Sequence, residues 1–208
     1  MARKNYHHGD LKNAMVEAAL RLVERQGLRG FSMREAAREA GVAPSAPYRH
    51  FADKTALMTA VAEAALLELV GRSEAAVTAA GDSPLEQFRA TGVAYVRFAY
   101  ERRAHFRVLH DPEYAHREAS ELLSHYFDRG DALVKATLSQ ADVQGELSSF
   151  LTPALVELTA SALMYGLARQ IVDGQLDPAL TLEQVEELAM QITNAVAVGI
   201  ASFGGPQP

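Results

Sequence analysis

The sequence contains no cysteine among its 208 residues. Without thiols the chain cannot form disulfides, and it cannot hold a metal or a redox centre through thiolate ligands. Long uncharged apolar runs are missing too, since the segment MARKNYHHGD is polar and the stretch Leu188–Pro208 is interrupted by polar residues, glycine and proline. We therefore expect neither a secretory signal nor a membrane span, and we expect a cytoplasmic protein.

Sequence motifs of the common enzyme classes are also missing. The chain has no glycine-rich phosphate loop, no nucleophile elbow and no His/Glu motif with metal-binding spacing. His105, His110 and His116 lie near acidic residues, but their spacing does not place them on one helical face. We predict that the protein is not an enzyme and needs neither a cofactor nor a metal. Catalysis and a purely scaffolding role stay open as alternatives.

The pattern of apolar residues indicates the fold class. No stretch alternates apolar and polar residues as a half-buried strand would, and apolar residues recur at intervals of three and four almost throughout. We predict an all-α protein of about nine helices. Residues 1–54 are expected to form a small three-helix domain, and residues 55–208 a larger helical domain.

Local signals place the ends of these helices. Several predicted starts combine a capping side chain with a Glu or Gln three residues later, or with a proline in the first turn. They are Ser32 with Glu35, Asp53, Ser83-Pro84 with Glu86, Thr152-Pro153, and Thr181 with Gln184. Gly27 and Gly41 are expected to end the first two helices. A long helix is predicted from about Glu113 to Ala141.

Charge is distributed unevenly along the chain. The whole chain carries a formal net charge of −6. Residues 1–54 contain ten Lys/Arg and six Asp/Glu, a net charge of +4, whereas residues 55–208 contain ten and twenty, a net charge of −10. A basic small domain joined to an acidic large one predicts that only the N-terminal part meets a polyanion. Solvated helix faces with uneven charge are the alternative.

Residues Phe31–Leu57, FSMREAAREAGVAPSAPYRHFADKTAL, have the features of a helix-turn-helix. Alanines at 36, 37 and 40 let two helices cross closely, and Gly41 provides the corner between them. Val42 and Phe51 can fill the miniature core. The polar residues Tyr48, Arg49 and His50 then lie where a recognition helix would meet the major groove of DNA.

At this point the sequence resembles the DNA-binding domain of the tetracycline-repressor (TetR) family, over roughly residues 10–60. The family pattern is an alanine-rich helix, a Gly-Val pair, a Tyr-x-His-Phe segment and a lysine that opens the next helix. The corresponding residues are Ala36-Ala37, Gly41-Val42, Tyr48-Arg49-His50-Phe51 and Asp53-Lys54. The resemblance implies a homodimeric, ligand-responsive transcription repressor that binds a palindromic DNA operator.

The chemistry of the residues, supported by this resemblance, suggests a role for each at the DNA. Contacts to phosphates are expected from Ser32, Arg34, Tyr48, His50 and Lys54. Contacts to base edges are expected from Ser45 and the methyl group of Ala46, and Pro44 beside them is also predicted to lie at the DNA. Arg49 can read a guanine or bind the backbone, and the sequence leaves both open. Arg3 and Lys4 form an arm that can reach a minor groove.

The larger domain is predicted to bind a small molecule and a second copy of the chain. Aromatic residues near the middle of the sequence, with a few polar ones, can line an apolar cavity or simply pack a core. The candidates are Tyr95, Phe98, Phe106, His110, Tyr126, Met164 and Arg169. The resemblance implies that the last two helices form a four-helix interface, and an apolar stripe there suits either that interface or an internal core. The stripe is Leu155, Leu158, Ala162, Val185, Leu188, Ile192 and Val196.

Overall fold

The structure, a computed structural model, describes residues 8–147 and 152–203, with the side chains of residues 11–147 and 152–194. Within these ranges the chain is all-helical and contains no strand. This confirms the predicted fold class. The predicted arm at Arg3 and Lys4 and the side chain of Val196 lie outside the described residues.

Eight α-helices follow one another in the part of the chain that the structure describes. They are α1 (His8–Gln26), α2 (Met33–Glu39), α3 (Lys54–Ala79), α4 (Pro84–Glu101), α5 (Arg103–Leu109), α6 (Glu121–Val143), α7 (Pro153–Val172) and α8 (Leu182–Phe203). Two short 3₁₀ turns, Pro47–Arg49 and Arg117–Ala119, precede α3 and α6. None of the described helices is long and apolar enough to cross a membrane.

The described helices group into two compact units. The first unit contains residues up to 66 together with 103–124, and the second contains 67–102 together with the residues from 125 onward. The helix α3 supplies residues to both units, because the division falls in its middle. The predicted division by function at residue 54 stays a prediction.

Capping side chains start the helices where the sequence predicted. Ser32 and Glu35 form a reciprocal capping box at α2, and Thr181 and Gln184 exchange the same pair of hydrogen bonds before α8. Asp53 accepts a hydrogen bond from the backbone N–H of Ala56 at 2.8 Å. Each contact satisfies a donor that has no partner within its own helix.

Two details of the predicted helix starts were wrong. Ser83 caps α4 as predicted, accepting from the backbone N–H of Glu86 at 3.3 Å, but the Glu86 carboxylate pairs with Arg89 and does not complete the capping box. Glu146, distant in sequence, instead accepts hydrogen bonds from Ser83 Oγ at 3.1 Å and Leu85 N at 2.7 Å. The long helix expected from Glu113 begins at Glu121, where Ser120 Oγ accepts from the backbone of Leu123.

Among the described residues of the second unit, two apolar clusters lie in the interior. The Val96 cluster joins α4, α7 and α8 through Val96, Met164, Leu167, Ile171, Val185 and Ala189. The Phe88 cluster joins α4, α6 and α7 through Phe88, Leu138, Val156 and Ala160. Burial of these side chains supplies the main driving force for docking the helices.

A network of ion pairs joins α3, α4 and α8 in the second unit. Arg72 of α3 lies 2.6 Å from both Glu68 and Glu101. Arg97 of α4 lies 3.0 Å from Glu101 and 3.2 Å from Glu186 of α8. The Arg72 guanidinium also lies over the ring of Phe98, 5.7 Å from its centroid. Shared partners fix the register of the three helices against one another.

Candidate nucleic-acid interface

The helix α2 opens the candidate interface. Ser32 uses its hydroxyl as a cap, accepting from the backbone N–H of Glu35 at 3.3 Å while donating to the Glu35 carboxylate at 3.1 Å. A phosphate at Ser32 would therefore compete with the cap. Arg34 is exposed on the same helix, and no acidic group among the described residues pairs with it. Of the two predicted contacts here, Arg34 has the freer side chain.

The turn after α2 reverses the chain within a few residues. Gly41 adopts φ +70°, a left-handed conformation that other residues rarely take. The backbone N–H of Val42 then donates to the carbonyl of Ala37 at 2.9 Å, which ends the helix. Val42 itself is half-buried, in keeping with its predicted place in the small core.

Two buried side chains hold the recognition segment in place. Pro47 is buried at the first position of the 3₁₀ turn, and Phe51 is only 3% exposed. The backbone N–H of Phe51 donates to the carbonyl of Pro47 at 2.9 Å, which links the two anchors. Pro47 suits the first turn because its missing N–H would have no helical partner there. The sequence indicated the Phe51 anchor but not the Pro47 anchor.

The residues between these anchors face outward. Tyr48 is 53% exposed, and Arg49 and His50 are exposed beside it. On the N-terminal side Pro44 and Ser45 are exposed and Ala46 is half-buried. The segment therefore presents a phenol, a guanidinium and an imidazole to its surroundings, which is the chemistry that contacts phosphates and base edges.

Lys54 makes contacts within the protein that the sequence did not indicate. Its ammonium donates to the carbonyl of Leu28 at 2.9 Å and lies over the Phe31 ring, 4.2 Å from the centroid. Burial lowers the pKa of Lys54. These contacts tie the start of α3 to the connection between α1 and α2. An ammonium has three N–H donors, and the one that bonds to Leu28 leaves others that can reach a phosphate. The predicted phosphate contact of Lys54 therefore stays a prediction.

Two of the N-terminal arginines bind within the unit. Glu39 of α2 lies 2.6 Å from Arg25 and 3.0 Å from Arg21, both on α1. Hydrogen bonds from Arg25 and Arg21 lower the pKa of the Glu39 carboxyl. Arg21 and Arg25 are part of the positive charge counted from the sequence. Their ion pairs with Glu39 show that they join α1 and α2. Arg29, Arg34 and Arg49 carry exposed positive charge in this unit.

The predicted ligand-binding residues fall into both units. Phe106 and His110 belong to the first unit, where their rings stack with centroids 4.0 Å apart. The other five belong to the second unit, namely Tyr95, Phe98, Tyr126, Met164 and Arg169. Met164 packs in the Val96 cluster, and Arg169 pairs with Asp173 at 2.9 Å. Burial raises the pKa of Tyr95, so its phenol stays protonated.

The predicted dimerisation stripe divides between surface and core. Leu155, Leu158 and Ala162 of α7 are exposed, and Leu158 has 67% of its surface open. Val185 is fully buried in the Val96 cluster, so at this position the core alternative is the correct one. Leu188 and Ile192 are half-buried against that cluster. Helical spacing alone cannot separate these two environments.

Comparisons with known proteins agree with this geometry. The model of the bacterial regulatory proteins of the tetR family matches residues 15–61. A Rhodococcus sp. RHA1 protein of unknown function is 30% identical, with a TM-score of 0.77 over 96% of this chain and 100% of that chain. No curated protein matches the chain.

Two solved transcriptional regulators have a similar fold at lower identity. PfmR of Thermus thermophilus, a TetR family regulator, is 20% identical, with a TM-score of 0.68 over 93% of this chain and 96% of its own. The ketosteroid regulator KstR2 of Mycobacterium tuberculosis is 21% identical, with a TM-score of 0.69 over 95% of this chain and 98% of its own. The matched domain contains the outward-facing turn, and the chain belongs to the TetR family of transcriptional regulators.

Proposed function

We propose that the protein represses transcription by binding a palindromic DNA operator as a homodimer, and that a small molecule releases it. The observation that carries the proposal is the outward-facing segment Pro44–His50, held by the buried Pro47 and Phe51. A short turn braced from below can keep its side chains ordered against a duplex. Because its target is DNA, we place the protein in the cytoplasm and assign it no catalytic step.

Each exposed group in the segment has a proposed task at the duplex. Tyr48 donates its hydroxyl to a phosphate, and His50 adds a second contact to the backbone. Arg49 has no acidic partner among the described residues, so its guanidinium is available for a guanine edge or a phosphate. Arg34 contacts a phosphate from α2. Ser45 and the methyl group of Ala46 lie against base edges.

Dimerisation is proposed through α7 and α8. The exposed face of α7 displays Leu155, Leu158 and Ala162, and exposed leucines on one helical face are typical of an interface between proteins. One recognition segment makes too few contacts for specific binding, whereas a two-fold dimer doubles them on a palindrome. The two segments must then lie about 34–36 Å apart, one turn of DNA.

The ligand is proposed to act through α3. This helix starts at Lys54, directly after the recognition segment, and contributes Arg72 to the ion network of the second unit. A ligand that favours a different position of α3 lowers DNA affinity by its differential affinity for the two states. A coupling of about 1–3 kcal/mol would change operator affinity about 5–150-fold.

The proposal is tested by selecting DNA from a random pool with the full-length protein. We expect an inverted repeat whose half-sites lie one helical turn apart. If each protomer neutralises about three phosphates, the logarithm of affinity falls with the logarithm of salt at a slope of about −5. A Y48A/R49A double variant is the matched control and should enrich no sequence. A slope near zero, or no enriched repeat with wild-type protein, would favour the scaffolding alternative.

A further inference from the structure

The helix α4 carries an arginine that is almost buried and incompletely paired. The Arg89 side chain is only 16% exposed, and one terminal nitrogen, Nη1, pairs with Glu86 one turn earlier. Its Nε is buried and has no hydrogen-bond partner within the described part of the chain. Neither Arg89 nor Glu86 has a role in the proposed DNA contacts.

An unpaired guanidinium donor inside a protein is unfavourable. Arginine has five N–H donors and keeps its charge at any physiological pH. Burial removes water from these donors, and a missing acceptor then leaves the cost of desolvation uncompensated. Glu86 pairs with Nη1, so the unpartnered Nε lies on the other edge of the guanidinium, which it forms with Nη2. That edge matches the two oxygens of a carboxylate in a bidentate pair.

The position of Arg89 on α4 suggests what surrounds such a carboxylate. Arg89 directly follows Phe88 of one apolar cluster and precedes Val93 and Val96 of the other by one and two turns. Along α4, Arg89 therefore lies between residues of the two clusters. A single cation between apolar groups suits a ligand with one acidic group and an apolar body.

One neighbouring side chain can adapt to such a ligand. Gly92 lies three residues after Arg89, and a Cβ there would be 3.3 Å from Cγ of Met164. The absence of a side chain at Gly92 thus lets Met164 pack directly on α4. Methionine is unbranched and flexible, so Met164 can change rotamer at little cost.

We propose that Arg89 binds the carboxylate of an organic monoacid whose apolar body packs against the Phe88 and Val96 clusters. This inference rests on the proposed function, since it names the chemical class of the ligand that acts on the regulator. Glu86 holds the other end of the guanidinium and balances its charge in the absence of ligand. On binding, the buried Nε gains the acceptor that it lacks.

Binding is measured on the full-length protein by calorimetry and by thermal shift. The probes are octanoate, decanoate and phenylacetate, each compared with its neutral primary amide. We expect at least one acid to bind about tenfold or more tightly than its amide, because the amide cannot form the charged pair. R89M should bind acid and amide equally. K135M, which removes a charge from an exposed position of α6, should behave as wild type.

A second variant guards against a folding defect in R89M. E86Q keeps the arginine and removes the negative charge that balances it, so acid affinity should rise several-fold while the affinity for amides stays the same. The proposal is overturned if no acid binds, if acid and amide bind wild type equally, or if E86Q leaves acid affinity unchanged. These measurements need no DNA, so a failure to select an operator would reject the proposed function independently of the result at Arg89.

Discussion

Two exposed surfaces of the molecule have opposite chemistry. The recognition segment exposes Tyr48, Arg49 and His50, all of which carry polar groups that can bond to phosphates or bases. The outer face of α7 exposes Leu155, Leu158 and Ala162, which offer almost no hydrogen bonds. Exposure alone therefore says little about function. The chemistry of the exposed groups separates a surface for a polyanion from a surface for another apolar helix.

The two surfaces are also supported differently. The recognition segment is short and depends on two anchors, Pro47 and Phe51. The α7 face belongs to a twenty-residue helix whose opposite side fills both apolar clusters. Substitutions should therefore separate the two surfaces, with effects on DNA binding at the first and on assembly at the second.

The largest effect is expected from a charge on the α7 face. In L158E a carboxylate would be buried against its counterpart at the proposed interface, so the dimer should dissociate. Operator affinity should then fall by about 10³-fold, towards non-specific binding. Light scattering gives the mass and fluorescence anisotropy gives the affinity. V143E, which places the same charge on an 86% exposed valine of α6, should remain dimeric. A dimeric L158E would place the interface elsewhere.

The next effect distinguishes an anchor from a contact within the recognition segment. F51A removes a buried ring and should destabilise the first unit by about 3–5 kcal/mol. Y48A removes an exposed ring and should leave stability within about 0.5 kcal/mol of wild type. Denaturant unfolding measures both. Similar losses in the two variants would show that Tyr48 also serves as an anchor.

A smaller effect is expected on the strength and salt dependence of DNA binding. R49Q should weaken operator binding about tenfold, because each half-site then has one charged interaction fewer. If Arg49 binds phosphate, the salt slope should become shallower by about 1 for each phosphate that is no longer neutralised. The control is K135Q, at an exposed lysine of α6, which should leave both quantities unchanged. A weaker affinity with an unaltered slope would assign Arg49 to a base edge.

A variant of Lys54 tests whether this residue only stabilises the first unit or also binds a phosphate. K54M removes the hydrogen bond to Leu28 and the charge above Phe31, and should destabilise the protein by about 1 kcal/mol. If bracing is its whole role, the salt slope of operator binding stays that of wild type. A slope shallower by about 1 or more would show that the ammonium also reaches a phosphate.

The smallest effect concerns pH. Hydrogen bonds from Arg25 and Arg21 lower the pKa of Glu39 below its ordinary value of 4.5. A lowered pKa in the folded state means that the stabilisation is present above the ordinary value and is lost as pH falls through the folded-state pKa. E39Q should therefore melt below wild type at neutral pH, with the difference closing in acid. A difference independent of pH would indicate packing instead of charge.

Much of the fold could be predicted because its signals are local. Helix starts at Ser32, Asp53 and Thr181 follow from side chains that cap within three residues. The capping of α4 by Glu146 could not be predicted, since it depends on a contact between residues more than sixty positions apart. The start of α6 was predicted too early for a different reason: the segment before Ser120 carries helical spacing without forming an α-helix.

The candidate site was likewise only partly predictable from the sequence. The family pattern located Tyr48, Arg49 and His50, and the structure exposes all three. Pattern alone could not show that Lys54 lies over Phe31 or that Arg21 and Arg25 are held by Glu39, because these contacts cross between elements. The sequence could not decide between core and interface at Val185, because a buried and an interfacial helical face have the same period.

Because α3 is one continuous helix, the protein should tolerate few insertions or deletions within it. Adding one residue to an α-helix turns everything beyond it by about 100° and moves it by about 1.5 Å. An insertion between Glu68 and Arg72 would turn these two residues onto different faces of the helix and break the ion pair between them. Point substitutions on the exposed side of this helix should be tolerated, whereas single-codon insertions or deletions inside it should not.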